Sequence, residues 1–186
     1  PLFIDLSADG HHAVCGSVVS GKSTFLQSLV YGFLMKYSPD MLQMYLIDFS
    51  SNMLAAFEEA PHVGGVISDN QEERLAKFMH MLTLMMDERR RIFKGGNYSQ
   101  YVQAHGVTVP AVMVVIDNMA SFREKTKFLY DEVLLRLARE GVGYGIFLVA
   151  SAAGFGMAEI PSRIGDNIRT VLSLEQADKF KYMEIL

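Results

Sequence analysis

One stretch of the sequence combines residue types and spacing that suit the binding of a triphosphate. Residues 16–23 fit the pattern G-x-x-x-x-G-K-[ST], in which glycines let backbone N–H groups face phosphate oxygens. The N-terminus of the helix that follows adds positive potential. In this pattern Lys22 contacts the β- and γ-phosphates, and the Ser23 hydroxyl binds Mg²⁺. The sequence therefore predicts an ATP and Mg²⁺ site formed by Gly16, Ser17, Val18, Val19, Ser20, Gly21, Lys22, Ser23 and Thr24.

A second stretch supplies a carboxylate that suits the same metal ion. Residues 112–117 form an apolar run that ends in Asp117, which is the Walker B pattern. Asp117 is expected at the carboxyl end of a buried strand, beside the phosphate-binding loop, where it would hold the Mg²⁺. Many parallel strands end in Asp, so this pattern is weak evidence by itself. It becomes more specific here because a well-matched phosphate-binding loop precedes it.

A parallel sheet flanked by helices would bring these two stretches together. Residues 12–15 predict a short strand before the loop, and apolar spacing predicts a helix from Lys22 to about Lys36, which Pro39 ends. Further strands are predicted at 44–49, 63–67, 112–117, 146–150 and 170–174, and helical segments at 52–60, 68–94, 97–105 (helix or loop), 125–140 and 176–186. This alternation predicts an α/β fold with a largely parallel, doubly wound sheet.

The first residues of the chain carry a different pattern. Residues 2–6 alternate weakly and predict a strand, and residues 9–10 are a turn signal that predicts a hairpin into the next strand. His11 and His12 follow, but no further ligand-type residue lies nearby at metal-binding spacing, so we expect no metal role for them. Cys15 is expected to be a small buried hydrophobic residue.

The composition indicates a folded domain and argues against some functions. Of the 186 residues, 50% are hydrophobic and 20% are charged, which suits one domain with a sizeable core. The formal net charge of −4 argues against a protein that grips nucleic acid. No apolar run approaches the ~20 residues of a membrane helix. The single cysteine implies no disulfide and is consistent with a reducing cytosolic compartment.

Two further features are interpreted conservatively. Arg89, Arg90, Arg91 and Lys94 form a basic run that could contact phosphates, but cations suited to the C-terminal end of a helix explain it better. The chain starts without Met and stops within a helical pattern at 184–186, so we expect it to be a fragment of a longer protein.

With both motifs in place, the chain resembles the FtsK/SpoIIIE class of ring-forming motor ATPases over nearly its whole length. The resemblance rests on the lead-in at residues 1–6 and on the segments 13–23, 46–63, 137–150 and 164–178. Within the class, the lead-in and the sequence Gly-x-x-x-Ser-Gly-Lys-Ser-Thr are most similar to the EssC/EccC ATPases of type VII secretion. The segment is most similar to their third, C-terminal ATPase domain.

The resemblance implies a fold, a location and partners. It implies a P-loop NTPase fold of the RecA/FtsK type, with residues 1–186 as one ATPase domain of a longer, multidomain parent chain. That parent would be membrane-anchored, with this domain in the cytoplasm at the inner face of the cell membrane. The implied partners are neighbouring ATPase domains, an oligomeric ring, and secreted helical-hairpin proteins that dock through C-terminal signal segments.

Three departures from the family's active pattern concern hydrolysis. Active members follow the Walker B Asp with a Glu general base, but Asn118 stands here, and its amide cannot accept the proton. The family's Lys-Gly-Gly is replaced by residues 50–52, Ser-Ser-Asn. The Thr-Gln-Arg-Pro sensor is replaced by residues 151–154, so Ala152 stands where Gln would sense the γ-phosphate. We therefore assign no catalytic residue, although Arg139 could be an arginine finger or an ordinary helix-end Arg.

Three functions remain open at this point. The first is a regulatory motor domain that binds ATP and Mg²⁺ but hydrolyses ATP weakly or not at all, within protein export and substrate recognition. The second is an interaction module of the same machine that has lost nucleotide altogether. The third is a DNA translocase motor, against which the acidic net charge and the departures both count.

Overall fold

A single parallel sheet organises the chain in the computed structural model, which describes residues 4–176 and residue 183. Within these residues six strands are hydrogen-bonded in the order β3-β2-β4-β5-β1-β6, and every strand pair is parallel. The strands are β1 (His12–Cys15), β2 (Leu42–Asp48), β3 (Val63–Ser68), β4 (Ala111–Asp117), β5 (Ile146–Ala152) and β6 (Thr170–Ser173).

Helices cover both faces of this sheet. They are α1 (Leu6–Asp9), α2 (Lys22–Lys36), α3 (Glu72–Phe93), α4 (Tyr98–His105), α5 (Met119–Lys125), α6 (Asp131–Glu140) and α7 (Ser162–Gly165), with 3₁₀ turns at Met53–Phe57 and Val142–Tyr144. None of the helices in the described part of the chain has the length and apolarity needed to cross a bilayer. This arrangement confirms the predicted α/β class with a doubly wound parallel sheet.

The central strands are buried on both faces, which explains their continuous apolar sequence. Alternate residues of β4 enter different layers, because side chains along a strand point to opposite faces. Val114 and Ile116 pack in the layer that contains α3, α5 and α6, while Met113 and Val115 pack in the layer that contains α2. The sheet is therefore fixed in register by two separate hydrophobic layers.

The strand order sets the geometry of the sheet's carboxyl edge. β5 lies between β1 and β4, with Cys15 paired to Ala152 and Ile116 paired to Ala150. On the other side of β4, Asp117 pairs with Asp48 at the end of β2. The loops that follow these strands therefore meet at one edge, where open parallel sheets bind their ligands.

The predicted N-terminal hairpin is wrong for the residues that the structure describes. α1 replaces the end of the predicted strand, because the Asp5 carboxylate accepts from Ala8 N at 3.3 Å and the Asp9 carboxylate accepts from Asp5 N at 2.9 Å. These local bonds stabilise a helical turn, and Leu6 is buried beneath it. Residues 2–3 lie outside the described residues, and so does the predicted helix at 176–186 apart from Gln176 and Met183.

The predicted helix at 125–140 is also wrong in its extent. The structure has two helices here, α5 and α6, separated by a turn in which Lys127 and Phe128 have positive φ values of 51° and 60°. Two such residues in succession cannot continue a right-handed helix. The Phe128 ring lies over the guanidinium of Arg123, 5.0 Å from its carbon, and this contact helps hold the turn.

Candidate nucleotide-binding site

The loop between β1 and α2 is tightly curled. A side chain at Gly16 would place a Cβ 2.3 Å from Ser20 Oγ, so any residue other than glycine would force Ser20 to shift. Val19 and Gly21 have positive φ values of 67° and 93°, and Ser20 N donates to Ser17 O at 3.2 Å. The backbone thus turns back on itself, as the phosphate-loop pattern predicts.

The loop opens into a cleft of about 520 Å³ at the carboxyl edge of the sheet. Gly21 is the N-cap of α2 and supplies no side-chain cap, so the first N–H groups of the helix are available to an anion. The described residues that line the cleft are Val18, Val19, Ser20, Gly21, Lys22, Ser23, Thr24, Ser50, Ser51, Met53, Asp117, Asn118, Ser151, Ala152, Ala153 and Glu159. The structure therefore brings together the predicted loop residues from Val18 onward with Asp117.

Gly16 and Ser17 stabilise the phosphate loop through hydrogen bonds. The ammonium of Lys22 donates to the carbonyl oxygens of both residues at 2.7 Å. Both the N–H and the hydroxyl of Ser17 donate to the carbonyl of Glu175, each at 2.9 Å. Burial lowers the pKa of Lys22, and the nearby carboxylates of Asp117 and Glu159 act in the opposite direction.

Asp117 offers an oxygen that suits a bound cation. The side chain is 1% exposed, and Oδ1 accepts from Ser151 Oγ at 2.5 Å. Oδ2 is buried and has no hydrogen-bond partner in residues 4–176 or at 183. Hydroxyl and carboxylate oxygens are the ligands that Mg²⁺ prefers, and Ser23 lies in the same cleft with its Oγ 3.5 Å from Ser50 Oγ. These residues therefore fit a magnesium-bound triphosphate.

Asn118 has a structural role at the start of α5. Its φ of 69° is a left-handed conformation that Asn tolerates better than most residues. Its side-chain oxygen accepts from Ser121 N at 3.1 Å and thereby caps the helix. Its backbone N donates to Ser151 Oγ at 2.8 Å. The amide is therefore engaged as a helix cap at the position where the sequence led us to expect a missing base.

Comparison with known proteins identifies the family. The sequence profile of the FtsK/SpoIIIE family matches residues 1–109, which is more than half of the chain. The chain belongs to the FtsK/SpoIIIE family. It is 31% identical over 179 residues to the type VII secretion system protein EssC of Staphylococcus aureus strain MRSA252, covering 94% of this chain and 12% of that protein. The chain thus spans about an eighth of the length of this homologue.

Solved structures of relatives have the same fold. A structure titled as ATPases 2 and 3 of Thermomonospora curvata EccC, in complex with a signal sequence peptide, superposes with a TM-score of 0.88 at 28% identity, covering 97% of this chain and 34% of that one. The cytoplasmic domain of EssC superposes with a TM-score of 0.89 at 24% identity, covering 98% and 36% respectively. The chain is therefore homologous to ATPase domains of EssC and EccC.

The other two segments that differ from the expected family pattern also line this cleft. Asp48 shapes the replaced Ser-Ser-Asn segment, because its carboxylate accepts from Ser50 N at 3.0 Å, Asn52 N at 3.2 Å and Leu54 N at 3.0 Å. Ala152 stands at the expected sensor position and lines the cleft, but its methyl group cannot donate a hydrogen bond. Both segments thus contribute to the lining of the cleft.

Sequence reasoning missed Glu159, a second carboxylate of the cleft. Its Oε2 accepts from Ala153 N at 3.0 Å, next to the sensor position. Sequence reasoning also missed Arg123, a buried residue of α5 that pairs with Asp131 through Nε at 2.9 Å and Nη2 at 2.8 Å. Nη1 of Arg123 donates to the carbonyls of Met157 at 2.5 Å and Glu159 at 3.1 Å. No motif marks either residue, and the carbonyls that Arg123 holds lie 34 and 36 residues later in the chain.

The remaining candidate residues lie outside the cleft lining. His11 and His12 are buried, and no group of potential metal ligands occurs in the described residues. Cys15 is buried as expected, and burial raises the pKa of its thiol to about 11. Arg89 is buried and donates to the carbonyls of Tyr144 and Pro110 at 2.6 Å, which ties α3 to the segments before β4 and β5. Arg139 is exposed in the last turn of α6, and its role as an arginine finger stays a prediction.

Proposed function

We propose that this chain is an ATP- and Mg²⁺-binding domain of a type VII secretion ATPase, in which nucleotide acts as a regulatory ligand and hydrolysis is weak or absent. One observation carries the proposal: a curled phosphate loop and a helix N-terminus without a side-chain cap share a cleft with Asp117 Oδ2, a buried oxygen that has no partner among the described residues. The homology with EssC and EccC supports the assignment to a secretion machine.

The binding groups have separate tasks in this proposal. Residues 18–24 would hold the phosphates through backbone N–H groups and the Lys22 ammonium. Ser23 and Asp117 would hold Mg²⁺, which supplies positive charge to the β- and γ-phosphate oxygens when bound. To bind a phosphate, Lys22 must give up its bonds to Gly16 O and Ser17 O, and the negative oxygens of the ligand would replace these carbonyls.

Weak hydrolysis follows from the residues that stand at two positions of the expected family pattern. A general base contributes about 10²–10⁴-fold to rate, and Asn118 cannot act as one. Its oxygen is further engaged with Ser121 N. Ala152 supplies no donor to the γ-phosphate. Nucleotide would then stabilise one conformation or interface of the parent protein instead of driving a power stroke.

Thermal unfolding with and without nucleotide tests the binding function. At ATP·Mg²⁺ concentrations about 100-fold above Kd, binding stabilises a protein by about 2.7 kcal/mol, or about 5–10 °C for a domain of this size. Lys22→Ala should abolish the shift. Lys36→Ala is the matched control, because it removes the same charge from the exposed, opposite end of α2 and should keep the shift.

Steady-state turnover tests the regulatory part of the proposal. Turnover well below about 1 s⁻¹ is expected even at saturating ATP. A rate at or above that value, lost in Lys22→Ala, would show that another group acts as the base. It would leave the binding function intact.

A nucleotide-free interaction module is the second candidate. The bonds from Lys22 to its own loop carbonyls favour it, since they stabilise the loop without a ligand. Calorimetry with ATP and Mg²⁺ separates the two functions. Absence of both binding heat and thermal shift in the wild-type chain would support the interaction module.

The remaining proposals concern the parent protein. We expect residues 1–186 to be one ATPase domain, the third, of a membrane-anchored chain that works in the cytoplasm, next to neighbouring ATPase domains and in an oligomeric ring. Because an EccC relative was solved with a signal sequence peptide, we expect C-terminal signal segments of secreted proteins to be ligands of the parent. Two upstream ATPase domains and a membrane segment in the full-length gene product would support this placement.

A further inference from the structure

Glu159 places a negative charge in the cleft in addition to that of Asp117. In the part of the chain that the structure describes, two carboxylates line the cleft, Asp117 and Glu159. Asp117 fits a magnesium ligand. Glu159 forms no ion pair among the described residues and instead accepts a hydrogen bond from Ala153 N. Its negative charge is therefore left facing a site built for anions.

The loop that carries Glu159 is firmly anchored. Glu159 N donates to Gly156 O at 3.2 Å, and Gly156 N donates to Ile160 O at 2.9 Å, which closes a turn. Ile160 is fully buried, and the buried guanidinium of Arg123 holds the carbonyls of Met157 and Glu159. The carboxylate therefore cannot withdraw from the cleft by a simple loop movement.

The position of Glu159 relates it to the last phosphate of a bound nucleotide. Its partner Ala153 follows Ala152, whose carbonyl accepts from Gly16 N at 3.2 Å at the start of the phosphate loop. Lys22, which would contact the β- and γ-phosphates, lies within electrostatic reach of the same carboxylate. A γ-phosphate bound by Lys22 would thus share the cleft with this negative charge.

We propose that Glu159 makes this cleft prefer a nucleoside diphosphate over a triphosphate. This proposal rests on the nucleotide-binding function proposed above and names the ligand class of the same site. Both nucleotides present a β-phosphate to Lys22 and Mg²⁺, but only the triphosphate places a further negatively charged group near the fixed carboxylate. Like charges a few ångströms apart in a partly buried site disfavour each other.

Calorimetry of the 186-residue chain with excess Mg²⁺ tests the preference. The probes are ADP and AMP-PNP, a triphosphate analogue that is not hydrolysed. Wild-type protein should bind ADP about tenfold more tightly. Glu159→Gln keeps an acceptor for Ala153 N and should raise AMP-PNP affinity about tenfold and ADP affinity at most about threefold.

Asp166→Asn is the matched control, because it removes the same charge from an exposed position outside the cleft and should change neither affinity. If the Gln variant does not fold, Glu159→Ala gives the same comparison. Equal gains for both probes, or no gain, in a variant that still binds nucleotide would overturn the role of Glu159 alone. Failure of wild-type protein to bind either probe would overturn the nucleotide function, and this inference with it.

Discussion

His11 should make the fold sensitive to mild acid. Its ring is fully buried at the start of β1, where Nδ1 accepts a hydrogen bond from Leu148 N at 2.8 Å. This bond fixes the proton on Nε2 and requires a neutral ring. Burial lowers the pKa of His11 to about 4, with His12 adding a smaller effect in the same direction and the carbonyls of Leu137 and Ala138 opposing it.

The size of this acid-induced loss of stability follows from the difference in the pKa of His11 between the folded and unfolded states. The unfolded chain titrates His11 near pH 6.5, so between pH 6.5 and about 4 the unfolded state binds a proton that the folded state excludes. The free energy of unfolding is therefore unaffected by this group above pH 6.5 and falls as the pH drops. A difference of about 2.5 pKa units corresponds to a loss of about 3 kcal/mol. Burial also lowers the pKa of His12, which adds to the effect.

Urea unfolding followed by circular dichroism between pH 7 and pH 4 measures this loss. In His11→Asn the side-chain oxygen takes the place of Nδ1 and still accepts from Leu148 N, but nothing titrates there. We expect this variant to lose most of the pH dependence, while the exposed His80→Asn variant on α3 keeps it. An unchanged pH slope in His11→Asn would refute the reasoning, because the acid sensitivity would then arise elsewhere.

Two further substitutions test contacts at the cleft. Gly16→Ala forces a Cβ against Ser20 Oγ, so we expect a loss of about 1–3 kcal/mol in unfolding free energy and at least about tenfold in nucleotide affinity. Gly32→Ala, inside α2 with open space around it, should instead stabilise by about 0.5–1 kcal/mol, and equal effects would contradict the steric argument. Arg123→Lys should cost about 2 kcal/mol in urea unfolding, because one ammonium cannot replace the paired guanidinium bonds. The more exposed Arg136→Lys should stay within about 0.5 kcal/mol, and similar losses in both would argue against a structural role specific to Arg123.

The central fold could be predicted because its signals are local. The phosphate loop, the helix that begins at Lys22 and the apolar run that ends at Asp117 are each contained in a few consecutive residues. Parallel topology then follows from alternation, because buried strands joined by helices have few other arrangements. The position of Asp117 beside the loop required no further information.

The errors occurred where tertiary contacts or local polar bonds outweigh the periodic pattern. The apolar spacing at 125–140 suits one helix, but Arg123 pairs with Asp131 and stacks on Phe128, and these contacts stabilise a turn with two left-handed residues. At residues 6–9 the bonds made by Asp5 and Asp9 favour a helical turn over a weakly alternating strand. Pattern reasoning cannot weigh such contacts before the fold is known.

The loop residues predicted to bind nucleotide share a cleft with Asp117, but the contacts around that cleft were missed for the same reason. The loss of a general base at Asn118 stays a prediction, and the role of Asn118 as a helix cap depends on a left-handed backbone that the sequence does not reveal. Glu159 is connected to the cleft through Ala153 and Arg123, and the guanidinium that holds its carbonyl lies 36 residues earlier in the chain. No spacing rule links residues so far apart.

A connected series of hydrogen bonds links these residues around the cleft. Asp117 bonds to Ser151, Ser151 accepts from Asn118 N, and Asn118 caps α5. From α5, Arg123 holds the loop whose Glu159 returns to the cleft beside the sensor position. A displacement at Asp117 or at Glu159 must therefore strain the same helix. Because packed elements of this kind change position together, we expect a ligand in the cleft to act on α5 whether or not it is hydrolysed.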